Sequence, residues 1–159
     1  AVPEHLRTWC GRMGRAPHAD EQAGIAAEQT RLIDSARAEV VLADTTALVV
    51  AAYSEIYFND RSLWPDAIAA QRRVQLTLLM GLDLPWQPDG FFRDSPAVRQ
   101  ATDTLLRREL QGAGIAFQTV YGQGPLRLRA AATVAASPTS CRRAARCSPP
   151  TTWWTAWRT

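Results

Sequence analysis

Hydrophobic positions change their spacing several times along this chain, and the changes divide it into alternating helical and extended segments. Residues 4–10 read as a short helix, and 11–19 as a loop rich in Gly and Arg. Residues 20–37 set Ile25, Gln29, Leu32, Ile33 and Ala36 along one side at helical spacing. Asp20 is a candidate cap, with Glu28–Arg31 and Asp34–Arg37 as surface pairs. The period then breaks: Val40, Val41 and Leu42 form a short unbroken apolar run, as in a strand buried on both faces. Residues 46–57 and 62–73 read as helices, the second with Ser62 as a candidate cap. Residues 74–80 are a second apolar run that stops at Gly81.

An irregular segment, 82–95, carries two prolines and a glycine. Ser95 as cap and Pro96 in the first turn then open a helix over 96–111. Its buried face is built from Val98, Ala101, Leu105 and Leu106, Asp103 pairs with Arg107, and Gly112 closes it. Residues 115–121 are a third strand, and a last helix starts near Leu126 and fades after Ala135.

Strand–helix–strand alternation predicts an α/β fold: a three-layer parallel sheet with crossover helices. Three strands are fewer than such a sheet usually has, so a further strand is expected ahead of residue 1. At 159 residues the length suits one domain. No apolar run approaches the roughly 18 residues that span a bilayer. The opening Ala1-Val2-Pro3-Glu4 does not read as a signal peptide, so a cytoplasmic location is expected. Cys10, Cys141 and Cys147 form no C-x-x-C, so neither a disulfide framework nor a zinc knuckle is indicated.

Charge changes the picture at the C-terminal end. Residues 1–130 hold 14 Arg against 15 acids, whereas 131–159 hold four Arg and no acid. That last stretch also carries three of the six Trp with no periodicity to bury them. The chain therefore divides into a domain over 1–130 and a basic, low-complexity tail over 131–159. The tail reads as out-of-frame translation, as a disordered terminus, or as a basic aromatic segment that binds nucleic acid or membrane. Every basic residue besides the two histidines is Arg. With no Lys, the chain can use neither Schiff-base chemistry nor the lysine of a G-x-x-x-x-G-K-[ST] loop.

Candidate chemistry gathers after the strands, because open parallel sheets bind ligands beyond the carboxyl ends of their strands. Asp44 follows the first strand and can hold Mg²⁺, a cation that prefers hard oxygen ligands, or can cap the next helix. In 82–95, Trp86 can stack on a flat ring, Asp89 and Asp94 can accept from ribose hydroxyls, and Arg93 can neutralise phosphate charge. The same segment also reads as a surface loop whose Trp covers core. Gly122-Gln123-Gly124 can bring a base close to the backbone or form an ordinary turn. His5 and His18 lack partners at metal-ligand spacing.

Read together, VVLADTTAL (40–48), YSEIYFNDRSLWP (53–65) and LDLPWQPDGFFRD (82–94) resemble the AAA-type ATP-binding kinase domain of the nicotinamide riboside kinase family. VPEHLRTWC (2–10), EQAGIAAEQ (21–29) and VYGQGPLRL (120–128) support the match, which covers about 1–130. The resemblance implies a P-loop kinase-like fold that is incomplete at the N-terminus, since that family opens with a strand and a phosphate-binding loop. It implies transfer of the ATP γ-phosphate to nicotinamide riboside, with ATP and Mg²⁺ as cofactors. Glu4 would take the hydroxyl proton, or be a solvated helix residue. Asp44 would lie near the metal, Trp86, Asp89, Arg93 and Asp94 in the lid and substrate region, and Gln123 and Gly124 near the adenine edge. Without the loop, activity is expected to be impaired. A non-catalytic nucleoside-binding fragment and a nucleic-acid-binding protein are the alternatives.

Overall fold

The computed structural model describes residues 1–88 and 95–136, and the backbone of 152–156. Helix α1, His5–Met13, ends where Gly14 adopts a left-handed conformation (φ 68°) and donates its N–H to the Cys10 carbonyl. The helix therefore runs past Gly11, where the sequence predicted a loop, because Gly14 and not Gly11 supplies the stop. Its first turn is capped from outside. The Gln29 side chain accepts from the His5 N–H at 2.6 Å and donates to the Pro3 carbonyl at 3.4 Å. A buried glutamine on the next helix thus satisfies a backbone donor that Glu4, at the N-cap, leaves open.

The following loop is closed by Arg15, whose guanidinium meets the Glu21 carboxylate with two bonds, 2.7 and 2.8 Å, and lies over the Trp9 ring. Glu21 also accepts from the His18 N–H. The cap expected from Asp20 is not made: Glu21 stands at the N-cap of the next helix with no side-chain cap bond, its carboxylate turned back to Arg15 and the His18 N–H. Helix α2, Gln22–Ser35, buries Gln22, Ile25, Ala26, Gln29 and Ile33. Its Glu28–Arg31 pair forms as expected. Asp34 instead bonds Arg73, with Arg37 on its backbone carbonyl, because α2 ends at Ser35 and Arg37 leaves the helical face.

Strand β1, Val40–Ala43, alternates: Val41 and Ala43 are buried, while Val40 and Leu42 are about half exposed. The unbroken apolar run predicted two covered faces, but only the side packed against Val2, Leu32, Ile33 and Ala36 is covered among the described residues. Helix α3, Ala47–Phe58, buries every residue from Ala47 to Ala52, and Ala51 and Ala52 have no exposed surface. A helix apolar all round is an interior helix, and α3 packs against α2, α4 and α5. Asn59 ends it in a left-handed conformation.

Helix α4, Trp64–Gln71, carries proline in its first turn, and Ser62 bonds Asp60 instead of capping it. Strand β2, Leu76–Met80, is covered on both sides. Leu79 joins the α1–α3–α5 cluster, while Leu78 and Met80 pack with Val120 against Ala131 and Val134. Helix α5, Pro96–Gly112, is capped by Ser95, whose hydroxyl accepts from the Val98 N–H. Its buried residues are Thr102, Asp103, Leu106 and Leu110, a face rotated slightly from the predicted one. Asp103 pairs with Arg107 as expected.

Strand β3, Phe117–Val120, and helix α6, Gly124–Ala136, follow, so helical structure continues past residue 130. Strand β4, Thr152–Ala156, comes last in the chain. The four strands are parallel in the order β1-β4-β2-β3, with Val40 opposite Thr152, Leu76 opposite Trp154 and Met80 opposite Val120. The fourth strand therefore comes from the C-terminal segment and stands inside the sheet. Val2 adds a single parallel bridge to Ala43 beyond β1. Residues 137–151 and 157–159, the rest of the predicted tail, lie outside the described residues. Among the described residues no helix is long and apolar enough to cross a membrane.

Two outcomes follow from this packing. Leu110 is completely buried, so Leu110→Ala is expected to cost about 2–5 kcal/mol in urea unfolding. The Arg15 guanidinium, followed by the His18 N–H, pulls the Glu21 carboxyl down to about 2. A lowered folded value means that this contribution is complete above the ordinary Glu range and is lost as pH falls toward 2. The stability gap between the native chain and Glu21→Gln is expected to be constant near neutrality and to shrink between pH 4.5 and 2. Denaturant melts across that range check it.

Candidate functional site

The parallel strands deliver several polar groups to one edge of the sheet. Val2 runs parallel to β1, its N–H donating to the Leu42 carbonyl at 2.6 Å and its carbonyl accepting from the Asp44 N–H at 3.0 Å. This pairing sets Asp44, one residue past Ala43, beside the segment that leads two residues on to Glu4. Both acids leave adjacent extended segments at the same carboxyl edge.

Asp44 is half-buried, and no described residue hydrogen-bonds its carboxylate. The N-cap of α3 is Thr46, with no side-chain cap bond. Among the described residues the capping role open to Asp44 in the sequence is therefore not used. Thr45 and Thr46 beside it are buried. The Glu4 side chain is 17 % exposed and pairs with Arg7 at 3.6 Å. Glu4 also helps explain the nearby Cys10 thiol, which burial and then the Glu4 charge push above its ordinary value. A thiol held protonated in the core is a packing residue.

The ends of β2 and β3 form the other half of the edge. The ladder continues one step past the strands, with the Gly81 N–H donating to the Val120 carbonyl at 2.7 Å. A Cβ at Gly81 would meet the exposed Tyr121 ring, so a larger residue there would displace that ring. Asp83, two residues on, accepts from the Gly122 N–H at 2.7 Å and from Arg127. Arg127 also donates through Nε to the Gly122 carbonyl at 2.7 Å and through Nη2 to the Gly81 carbonyl at 3.1 Å. The Gly122 amide, and beyond it the Arg127 guanidinium, hold the Asp83 carboxyl below its ordinary value against the opposing effect of desolvation. Neither Asp83 nor Arg127 stood out as a site residue in the sequence. The signal available was position alone, each lying a few residues past a strand end.

Among the other expected site residues, Trp86 is half-buried and its indole Nε1–H meets no acceptor among the described residues. The loop before it is tied to α5 by Arg99, which donates to the Leu84 carbonyl at 2.8 Å. Gln123 and Gly124 are exposed. The Gln123 carbonyl accepts the first N–H groups of α6, and Gly124 takes a positive φ of 47°. Asp89, Arg93 and Asp94 lie outside the described residues. Among the described residues no three His, Cys, Asp or Glu side chains gather as a metal site. A magnesium ion needs less from a protein when substrate phosphates complete its shell, and one or two carboxylates suffice. The Asp44 carboxylate, without a partner among the described residues, fits that requirement.

A second charged cluster is structural. Glu55 accepts from Arg61, Arg108 and the Trp64 indole, with Glu109 bridging both arginines. Burial works against the Glu55 charge, but these donors outweigh it and hold the carboxyl below its ordinary value. The cluster joins the far end of α3 to α5 and is saturated by its own members.

The family model described as an AAA domain matches residues 2–127, which take in α1 through the first turn of α6 and the whole carboxyl edge. No curated protein and no solved structure matched the chain. The α/β architecture, the parallel sheet and the polar edge agree with that match, and the chain belongs to the AAA domain family, a P-loop NTPase-like group of nucleotide-binding domains.

Proposed function

We propose that this domain is a cytoplasmic phosphotransferase of the nucleoside kinase type, whose reaction moves the γ-phosphate of ATP to the 5′-hydroxyl of nicotinamide riboside. The observation that carries the reading is the pairing of Val2 with Ala43, which brings Glu4 and Asp44 to one edge while leaving the Asp44 carboxylate without a described partner. In this reading Asp44 offers a hard oxygen to Mg²⁺, and Glu4 accepts the proton of the acceptor hydroxyl. Trp86 stacks on a flat ring, Asp89 and Asp94 hold ribose hydroxyls, and Arg93 neutralises phosphate charge. Gln123 and Gly124 lie along the adenine. The choice of nicotinamide riboside rests on the resemblance of segments 40–48, 53–65 and 82–94 to that kinase family.

Residues 1–159 taken alone do not fit a triphosphate. They contain no lysine and no G-x-x-x-x-G-K-[ST] sequence. Phosphoryl transfer depends on positioning and charge neutralisation, and backbone amides with a lysine are what such loops supply. Residues 1–159 by themselves are therefore expected to catalyse the transfer poorly. A second reading, a nucleoside-binding fragment without catalysis, is favoured by the same lack of lysine.

Calorimetry and a phosphorylation assay on the full chain separate these readings. Nicotinamide riboside is expected to bind, with Asp44→Asn weakening only the Mg²⁺-dependent part of any nucleotide binding. Product formation is expected to stay near background. Rapid Mg²⁺-dependent phosphorylation would overturn the impairment, and failure of nicotinamide riboside to bind at millimolar concentration would sink the nucleoside reading.

A further inference from the structure

The Arg127 guanidinium sits under the turn that joins β3 to α6, and its side chain is only 13 % exposed. Its bonds to the Gly81 and Gly122 carbonyls and to the Asp83 carboxylate span two loops that follow different strands. Asp83 answers from the β2 side by taking the Gly122 N–H. Both backbone groups of Gly122 are thus held by one ion pair. Gly122 has a φ of 101° and Gly124 a φ of 47°, so the turn depends on two residues whose backbone is otherwise the least restricted in the chain. The Tyr121 ring, 58 % exposed, lies across Gly81.

We infer that Arg127 and Asp83 are positioning residues which fix the shape of the turn Tyr121–Gly124 from beneath, so that its exposed backbone meets a nucleoside or nucleotide base already ordered. The pair acts through the turn and does not touch the ligand. This rests on the reading of the carboxyl edge as a nucleotide-family site. A single guanidinium is suited to the task because its fixed fork of donors serves several acceptors at once, which an ammonium on a flexible stem does less well. Pre-ordering a loop raises affinity by removing the ordering cost from the binding step.

Amide exchange and ligand affinity, measured on the full chain, test it. In Asp83→Asn and Arg127→Met the Gly122 amide is expected to exchange about tenfold faster, with Arg127→Lys in between. Affinity for ADP or nicotinamide riboside should fall about five- to tenfold in the same order while the thermal midpoint moves by only a few degrees. Asp83→Asn keeps the side-chain volume, so it reports on the bonds and not on packing. Unchanged Gly122 exchange in both variants overturns the clamp. Faster exchange with wild-type affinity overturns its positioning role. If the native chain binds neither probe, the functional reading of the edge fails, and the exchange data alone then decide whether the ion pair holds the turn.

Discussion

The burial of α3 is the constraint on which most of the fold depends. This helix follows β1 by three residues, and its first six residues are all sealed from water. It touches α2, α4 and α5 at once, so each of these helices is located by its fit to the same apolar rod. Small residues make that closeness possible: Ala47, Ala51 and Ala52 let neighbouring backbones approach without large side chains between them. The far end of the rod is fastened by charge, through Glu55 and its arginines, and by the Asn59 stop. The near end emerges beside Asp44. A helix that cannot rotate or slide without exposing apolar surface also prevents Asp44 from moving along the sheet edge.

The edge itself has two halves built by different means. On the β1 side the geometry comes from backbone pairing with Val2 and from a buried glutamine that holds the start of α1. Among the described residues those devices leave the Asp44 carboxylate uncommitted. On the β2–β3 side the geometry comes from an ion pair whose donors and acceptors are spent on the loops.

Most of the elements were legible in the sequence because their periods were strong. The helices over 20–37, 46–57 and 96–111 and the runs at 74–80 and 115–121 match the observed elements to within a few residues. Asp44 read as a residue just past a strand because the apolar run stops there. What escaped were choices made by distant partners. Asp34 had a good local arginine in Arg37 and took Arg73 instead. Val40 and Leu42 looked like core, but the cover on their side is missing among the described residues. Asp83 and Arg127 looked ordinary, because each takes its meaning from a partner 44 residues away in sequence. The position of β4 was the least legible of all, since nothing in its local composition distinguishes an inner strand from a tail.

That position has a kinetic consequence. Every described backbone hydrogen bond between the β1 side and the β2–β3 side of the sheet passes through β4, whose partners Val40 and Leu76 lie far upstream of residues 152–156. The register of β1 against the β2–β3 pair is fixed only when a loop of more than a hundred residues closes. Closure over such separation is what slows parallel sheets relative to helical bundles. Until β4 pairs, the facing edges of β1 and β2 are open, and edge-to-edge association with another molecule competes with completion of the sheet.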